Sequence, residues 1–297
     1  MKVNAKTLER TLIALPYLWL TLFFLVPFLI VFKISLAEPL LALPPYTDLF
    51  DFSQGAVSRV RVTLNNFLFV LQDELYLYTY WSSVKIASIS TVLVLLVGYP
   101  MAYAIARAPA NKRSLLLMLV ILPFWTSFLL RVYAWMGLLN THGLINKVLM
   151  GLGFIDAPLT MMYTDFALYI GIIYSYLPFM ILPLYANLEK LDGNLLDAAA
   201  DLGANPLRTF IDVTLPLSMP GIIAGSMLVF IPAMGEFVIP SLLGGSDSLM
   251  IGRVLYDEFF FNNDWPLASA IALVLLTLLI VPIMILRRYQ DKEASTS

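Results

Sequence analysis

The apolar residues of this chain fall into long runs that short clusters of charged residues separate. The first run, at about 11–32, holds 22 residues without a charge, enough for a helix to cross about 30 Å of hydrocarbon. A helix satisfies its own backbone hydrogen bonds, which lipid cannot do, so each run predicts a membrane-spanning helix. The sequence therefore predicts six spans, at about 11–32, 86–106, 115–139, 166–188, 217–240 and 265–286.

The composition also indicates a chain that is solvated by lipid. Hydrophobic residues make up 60% and charged residues 13% of the 297 residues, and the mean hydropathy is +0.84, too apolar for a soluble domain. We therefore expect one all-α transmembrane domain over 1–297. The net charge of −2 argues against nucleic acid as a partner, and the lack of cysteine excludes disulfides and thiolate metal sites. The first run lacks a small-residue cleavage site, so we expect a retained helix and not a signal peptide.

The distribution of charge predicts how the spans are oriented. Basic residues stand before the first span, between the second and third spans and after the sixth: Lys2, Lys6, Arg10, Arg107, Lys112, Arg113, Arg287 and Arg288. With six spans these places share one side, and the positive-inside rule assigns that side, with both termini, to the cytoplasm. On the outer side, Asp257, Glu258 and Asp264 either concentrate a polycation at an outer mouth, form a solvated face or dock a binding protein.

The connection between the fourth and fifth spans, 189–216, is far longer than the one between the second and third spans. Asn194 is a candidate N-cap, Gly203 predicts a helix end, and Asn205-Pro206 predicts the start of a second short helix. The first helix would carry an apolar stripe at helical spacing: Leu195, Ala199 and Leu202. This predicted helix-turn-helix either docks into the groove of a partner or caps the helix bundle.

The spacing of residues in this connection resembles the EAA loop of ABC importer permeases. That pattern is Glu-Ala-Ala, three residues, Gly, nine residues, then Ile-x-Leu-Pro; here Asp-Ala-Ala stands at 197–199, Gly at 203 and Val-Thr-Leu-Pro at 213–216. The resemblance implies the type I ABC importer permease fold and a coupling helix that docks on a separate ATPase subunit. The candidate ATPase-coupling residues are six from this pattern, Asp197, Ala198, Ala199, Gly203, Leu215 and Pro216, together with Pro206 at the start of the second short helix.

Longer stretches resemble the putrescine/spermidine branch of these permeases, among them TSFLLRVYAWMGLLN, YLPFMILPLYANLEKLD and GIIAGSMLVFIPAMGEFVIPSLLGG. The first outer loop is most similar to the putrescine-type subunit. The resemblance implies ATP-driven import of polyamines, putrescine first and spermidine next, across a bacterial inner membrane. It also implies a heterodimer with a second related permease, two copies of an ATPase that binds the ATP, and a periplasmic polyamine-binding protein, with no cofactor on this chain.

Other functions stay open at this point. Gly-Glu-Phe at 235–237 also resembles permeases for oxyanions, so it does not identify a polyamine carrier. Within the importer class, sulfate and ferric iron are the alternative cargoes. A channel or a secondary transporter is the alternative of another class, although no filter motif and no paired repeats stand out. The sequence has no Walker-type phosphate loop and no catalytic or metal-binding motif, so we expect a transport subunit and no enzyme.

Two charged residues inside the predicted spans are candidates for a substrate path or a gate. At about 1.5 Å per residue, Arg131 and Glu236 each lie about 24 Å along their helices, and we expect both to face the bundle interior. Either Glu236 meets a substrate ammonium, or it pairs with Arg131 and holds a gate; the matched depth favours the pair. Aromatic rings suit a methylene chain with cationic ends, and the candidates are Trp125, Tyr133, Trp135, Tyr99 and Tyr103.

Overall fold

The computed structural model describes residues 5–53, 56–245 and 248–296, with side chains over 12–49, 61–245 and 248–284, so Lys2 lies outside the described residues. An antiparallel hairpin joins β1 (Phe50–Ser53) to β2 (Ala56–Val60). The α-helices are α1 (Ala5–Leu20), α2 (Val26–Ser35), α3 (Asn65–Gln72), α4 (Glu74–Arg107), α5 (Ala110–Ile121), α6 (Phe128–Leu139), α7 (Leu144–Gly151), α8 (Asp165–Leu188), α9 (Gly193–Asp201), α10 (Pro206–Thr209), α11 (Leu215–Leu217), α12 (Met219–Met234), α13 (Val238–Leu242), α14 (Ile251–Phe260) and α15 (Trp265–Thr296). Short π-helical turns, Thr21–Leu25 and Phe210–Thr214, connect α1 to α2 and α10 to α11.

Several of these helices have the length and apolar composition of membrane spans. Within the described ranges four continuous helices qualify: Leu12–Ser35, Glu74–Arg107, Asp165–Leu188 and Trp265–Met284. Two bent pairs qualify when each is taken as one span: Ala110–Trp125 with Phe128–Gly151, and Pro206–Leu217 with Met219–Met234. The six predicted spans overlap these helices and pairs, while their exact boundaries in a membrane stay a prediction.

The third predicted span, 115–139, is not one straight helix. A 3-10 turn, Leu122–Trp125, follows α5, and the chain bends by 90° before α6 begins at Phe128. Pro123 lacks a backbone N–H and blocks the preceding helical turn, and Thr126 then adopts an extended conformation (φ −91°, ψ 153°). The distance of about 24 Å counted along a straight helix to Arg131 therefore does not apply across this bend, and the depth of Arg131 in a membrane stays a prediction.

Packing divides the chain into two compact units, Met1–Leu77 with Leu255–Leu278 and Tyr78–Val254 with Leu279–Ser297. In the first unit, the buried Asn66 fastens the start of α3 to the end of α2. Its Nδ2 donates hydrogen bonds to the backbone oxygens of Ser35 (2.9 Å) and Ala37 (2.8 Å). Buried backbone oxygens just past a helix end need such donors, so the side chain completes the end of α2.

In the second unit, α12 packs closely along α8. A Cβ atom on Gly225 would lie 2.7 Å from Met180 Sδ and 3.1 Å from the Met180 backbone oxygen, so only glycine allows this approach. Met180, Ile181 and Leu184 of α8 are fully buried in a cluster with residues of α4 and α12. The close approach holds α12 against α8, beside α4.

Candidate functional site

The connection 189–216, called the coupling loop below, forms the two short helices that the sequence predicts. The helix α9 begins after Asp192, whose Oδ1 accepts a hydrogen bond from the N–H of Asn194 (3.0 Å). The predicted N-cap, Asn194, is therefore wrong by two residues. The N-cap is Asp192, whose carboxylate reaches an N–H group of the first turn. Gly203 ends the helix in the left-handed region, at φ +81°, as the sequence predicts.

The second helix of the coupling loop, α10, begins as predicted at Pro206. The side chain of Asn205 accepts a hydrogen bond from the N–H of Arg208 (2.8 Å) and so caps this helix. Arg208 Nε and Asp212 Oδ2 lie 3.4 Å apart and form an exposed ion pair. Both helices of the loop are thus held by side chains that are close in sequence.

The coupling loop exposes apolar side chains to solvent. Leu202, at the end of α9, is 89% exposed, and Leu195, Leu207 and Ile211 are also exposed. Asp197 and Ala198 are exposed beside them, whereas Ala199 is half-buried. Neighbouring exposed leucines on a short loop are typical of a surface that a partner covers.

Two of the predicted path residues, Tyr99 and Tyr103 on α4, instead contact the end of the coupling loop. Their rings meet that of Phe210 edge-on, with centroids 5.5 and 6.4 Å apart. The Tyr99 hydroxyl also shares a hydrogen bond with Ser218 Oγ (2.8 Å), just before α12. Phe210 is not among the residues that the sequence predicts, because its only signal is an apolar ring that follows the polar Arg208-Thr209.

A cavity of about 500 Å³ brings together the two charged residues that the sequence places inside spans. Named the Arg–Glu cavity below, it is lined by Phe124, Phe128, Arg131, Ser175, Tyr176, Phe179, Pro232, Gly235, Glu236, Phe237 and Val238. Aromatic rings make up much of the lining around the one basic and one acidic side chain. The cavity therefore has the groups that can hold a cation away from water.

Glu236 is the better satisfied of these two charged groups. It is 7% exposed, and its Oε1 accepts hydrogen bonds from the backbone N–H groups of Phe237 (3.1 Å), Val238 (3.0 Å) and Ile239 (3.3 Å). The Tyr176 hydroxyl donates to Oε2 at 2.5 Å. The carboxylate thus caps α13 and has its charge stabilised by four donors, at the end of a helix that favours an anion.

Arg131 has no comparable set of partners. Its Nε and Nη1 atoms are buried without a hydrogen-bond acceptor, and among the described residues it forms no ion pair. The guanidinium lies over the rings of Phe124 (4.7 Å to the centroid) and Phe128 (5.7 Å). The direct Arg131–Glu236 pair that the sequence favoured is therefore not formed in the described structure. The two residues share a cavity, in which Glu236 binds four other donors.

The remaining predicted aromatic residues do not gather at one place. Trp125 is 77% exposed and borders a second cavity beside the Arg113–Glu189 ion pair (3.3 Å), and Tyr133 is also exposed. Trp135 packs edge-on against Tyr174, with centroids 5.5 Å apart. The role of each of these rings in a substrate path thus stays a prediction.

The acidic residues of the predicted outer mouth have structural contacts. Glu258 accepts hydrogen bonds from the Tyr76 hydroxyl and from Asn262 Nδ2, both at 2.9 Å. Asp264 Oδ1 accepts from the N–H of Leu267 (3.0 Å) and caps α15. Burial raises the pKa of the Asp264 carboxyl; the Leu267 N–H lowers that pKa and the nearby Glu258 raises it. Asp257 lies half-buried on α14.

Comparison with solved structures supports the predicted fold. A chain from the bacterial alginate ABC transporter, solved in complex with an alginate-bound periplasmic protein, superposes with a TM-score of 0.70. The match covers 96% of this chain and 94% of that one at 14% identity. Together with the helices described above, it confirms the all-α type I ABC importer permease fold; which side of the membrane holds the termini stays a prediction.

Comparison with known sequences assigns the family. The model of the family "binding-protein-dependent transport system inner membrane component" matches residues 7–296. Two similar relatives are named spermidine/putrescine transport system permease protein PotB. The one from Haemophilus influenzae is 38% identical over 97% of this chain and 96% of its own, and the one from Escherichia coli K12 is 41% identical over 86% and 88%. The chain therefore belongs to the family of inner membrane components of binding-protein-dependent transport systems.

Proposed function

We propose that this chain is a permease subunit of an ATP-driven importer that moves polyamines from the periplasm to the cytoplasm. The observation that carries the proposal is the 38–41% identity, over most of the chain, to permeases named for spermidine and putrescine transport. The family resemblance read from the sequence supports the same substrate class. Between the two polyamines, similarity of the first outer loop to the putrescine-type subunit predicts a preference for putrescine.

The geometry of the coupling loop supports docking on a separate ATPase. Leu202 and Leu207 project from two capped helices into solvent, next to Asp197. Burial of one such leucine in a partner's groove stabilises a complex by about 1.5–3 kcal/mol. We assign ATPase docking to the seven candidate coupling residues: Asp197, Ala198, Ala199, Gly203, Pro206, Leu215 and Pro216. The ATP is bound by the partner, with no cofactor on this chain.

The proposed assembly contains other proteins besides the ATPase. A periplasmic polyamine-binding protein delivers the substrate, a second related permease completes the path as a heterodimer, and two ATPase copies supply the energy. The docking of the binding protein is assigned to the outer side, where Asp257, Glu258 and Asp264 lie in the predicted orientation.

Uptake by proteoliposomes that hold the transporter with its native partners tests this proposal. We expect ATP-dependent accumulation of labelled putrescine and spermidine, which unlabelled polyamine suppresses and sulfate does not. Accumulation that sulfate or ferric iron suppresses would assign another cargo to the importer. Polyamine flux that continues without ATP would instead assign the chain to the channels or secondary transporters.

The predicted orientation has a separate test, because the chain has no native cysteine. Single cysteines at Ala110, between the second and third spans, and at Asn262, between α14 and α15, are both exposed positions. We expect a membrane-impermeant thiol reagent to label Asn262→Cys from the periplasm and Ala110→Cys only after the membrane is opened. Labelling of both from one side would contradict the six-span topology.

A further inference from the structure

The position of Arg131 is not explained by the stability of the fold. Its Nε and Nη1 atoms are buried without acceptors, in a segment predicted to lie in the membrane. It also stands in the first turn of α6 (Phe128–Leu139), where the helix dipole disfavours a cation. An apolar side chain there would avoid both costs, and ionisable residues inside spans are typical of functional sites.

Arg131 and Glu236 form no ion pair among the described residues. Three backbone N–H groups bind Oε1 of Glu236, and the Tyr176 hydroxyl binds Oε2. The carboxylate is therefore held by α13 and Tyr176, without a contribution from Arg131. The guanidinium is held by the ring faces of Phe124 and Phe128 instead, with the charge of Glu236 across the same cavity.

The lining of the Arg–Glu cavity suits a cation of another kind equally well. Ring faces attract an alkylammonium as they attract a guanidinium, and apolar walls such as Pro232 and Val238 suit a methylene chain. The volume of about 500 Å³ lies in the range of small-molecule sites, about 300–1,000 Å³. The place that an ammonium would take over these rings is occupied by the side chain of Arg131.

We propose that the rings of Phe124 and Phe128, in the field of Glu236, form a site for a substrate ammonium, and that Arg131 is a built-in competitor that occupies this site between substrate molecules. This inference rests on the proposed polyamine substrate. An ammonium must displace the guanidinium from the rings, so Arg131 weakens binding within the membrane and keeps the site from retaining its cargo. The residue thereby lowers the affinity of the site without a hydrogen bond to the substrate.

Equilibrium binding to the whole transporter, measured without the periplasmic protein, tests the competition. We expect the Arg131→Gln complex to bind labelled putrescine or spermidine roughly 2- to 30-fold more tightly than the wild type, the factor that corresponds to one cation–π contact. Arg131→Lys keeps the charge and is the matched control, with an affinity near that of the wild type. Phe124→Leu, added to Arg131→Gln, removes a ring and should cancel the gain.

A second neutral variant, Arg131→Met, keeps the test valid if Arg131→Gln fails to fold. We expect the same increase in polyamine affinity for it. If the wild type imports polyamine but a correctly assembled neutral variant binds it no more tightly than the wild type, the proposed competition is overturned. Saturable sulfate binding to the wild type that Arg131→Gln abolishes would also overturn it, since Arg131 would then serve an anion. A wild-type transporter that imports neither polyamine would overturn the proposed function, and this inference with it.

Discussion

The coupling loop exposes apolar side chains that are usually buried, whereas the Arg–Glu cavity buries charged groups that are usually exposed. Leu202 of the loop is 89% exposed, whereas Glu236 and two nitrogen atoms of Arg131, Nε and Nη1, are buried in the cavity. The loop has apolar surface that nothing in the described structure covers, and the cavity has guanidinium nitrogens without an acceptor. We infer that a partner protein covers the loop and that a small cation displaces the guanidinium from the cavity.

The largest effect is expected from a change in the turn of the coupling loop. A Cβ on Gly203 would meet no atom within 4 Å, but its φ of +81° strains a β-branched residue. Gly203→Val should therefore displace α10 and abolish both ATPase co-purification and uptake. Gly203→Asn, which tolerates the left-handed region, is the control and should retain most of both. Equal activity of the two variants would show that the turn is not needed.

A smaller effect should follow from a charge on the exposed face of the loop. We expect Leu202→Glu to weaken ATPase association by roughly 10- to 100-fold, because a buried leucine stabilises a contact by about 1.5–3 kcal/mol. Leu152→Glu changes another exposed leucine, outside the loop, and should leave the association unchanged. Titration of each permease variant with ATPase measures the affinity. Equal losses of affinity in the two variants would show that the coupling loop is not part of the interface.

The contact of Phe210 with Tyr99 and Tyr103 predicts an intermediate phenotype. Phe210→Ala removes two ring contacts, worth about 0.5–1.5 kcal/mol each, and loosens the link between the coupling loop and α4. We expect the ATPase to stay bound and to hydrolyse ATP with less polyamine imported per ATP. Tyr99→Phe keeps the ring, loses only the hydrogen bond to Ser218 and should show a weaker form of the defect. A normal ratio in Phe210→Ala would contradict this role.

The smallest effects concern the stability of the cavity, where the two charged residues should differ. Glu236→Gln removes the charge that caps α13 and should lower the free energy of unfolding by about 1–3 kcal/mol. Arg131→Met removes a group without hydrogen-bond acceptors and should leave stability unchanged or slightly higher. Thermal unfolding of the purified complexes gives the comparison. A larger loss in Arg131→Met would mean that the arginine has a stabilising partner.

The two regions also differ in how far the sequence predicts them. Local interactions determine the coupling loop, where Asn205 caps the helix that begins at Pro206, and only the first cap was misplaced, from Asp192 to Asn194. The apolar runs likewise predict the fold class, and the family confirms a multi-pass bacterial inner-membrane transport subunit that is no enzyme.

The cavity was harder to predict because its contacts join distant parts of the chain. The hydrogen bond between Tyr176 and Glu236 links residues 60 positions apart, and the 90° bend after Pro123 invalidates a depth counted along a straight helix. Matched depth suggested an ion pair, whereas the Glu236 carboxylate binds the backbone of α13 and the Tyr176 hydroxyl. Cavity contacts of this kind follow from how helices pack, which periodicity alone does not determine.

The most direct test of the account measures ATP hydrolysis and polyamine uptake on the same proteoliposomes, for the wild type, Leu202→Glu and Arg131→Gln. We predict that Leu202→Glu lowers both activities in parallel, because its ATPase docks roughly 10- to 100-fold more weakly. Arg131→Gln should keep its ATPase and its ATP hydrolysis, while only its polyamine uptake changes. Uptake by Leu202→Glu at the wild-type rate, or parallel loss of both activities in Arg131→Gln, would contradict the separate roles of the coupling loop and the cavity.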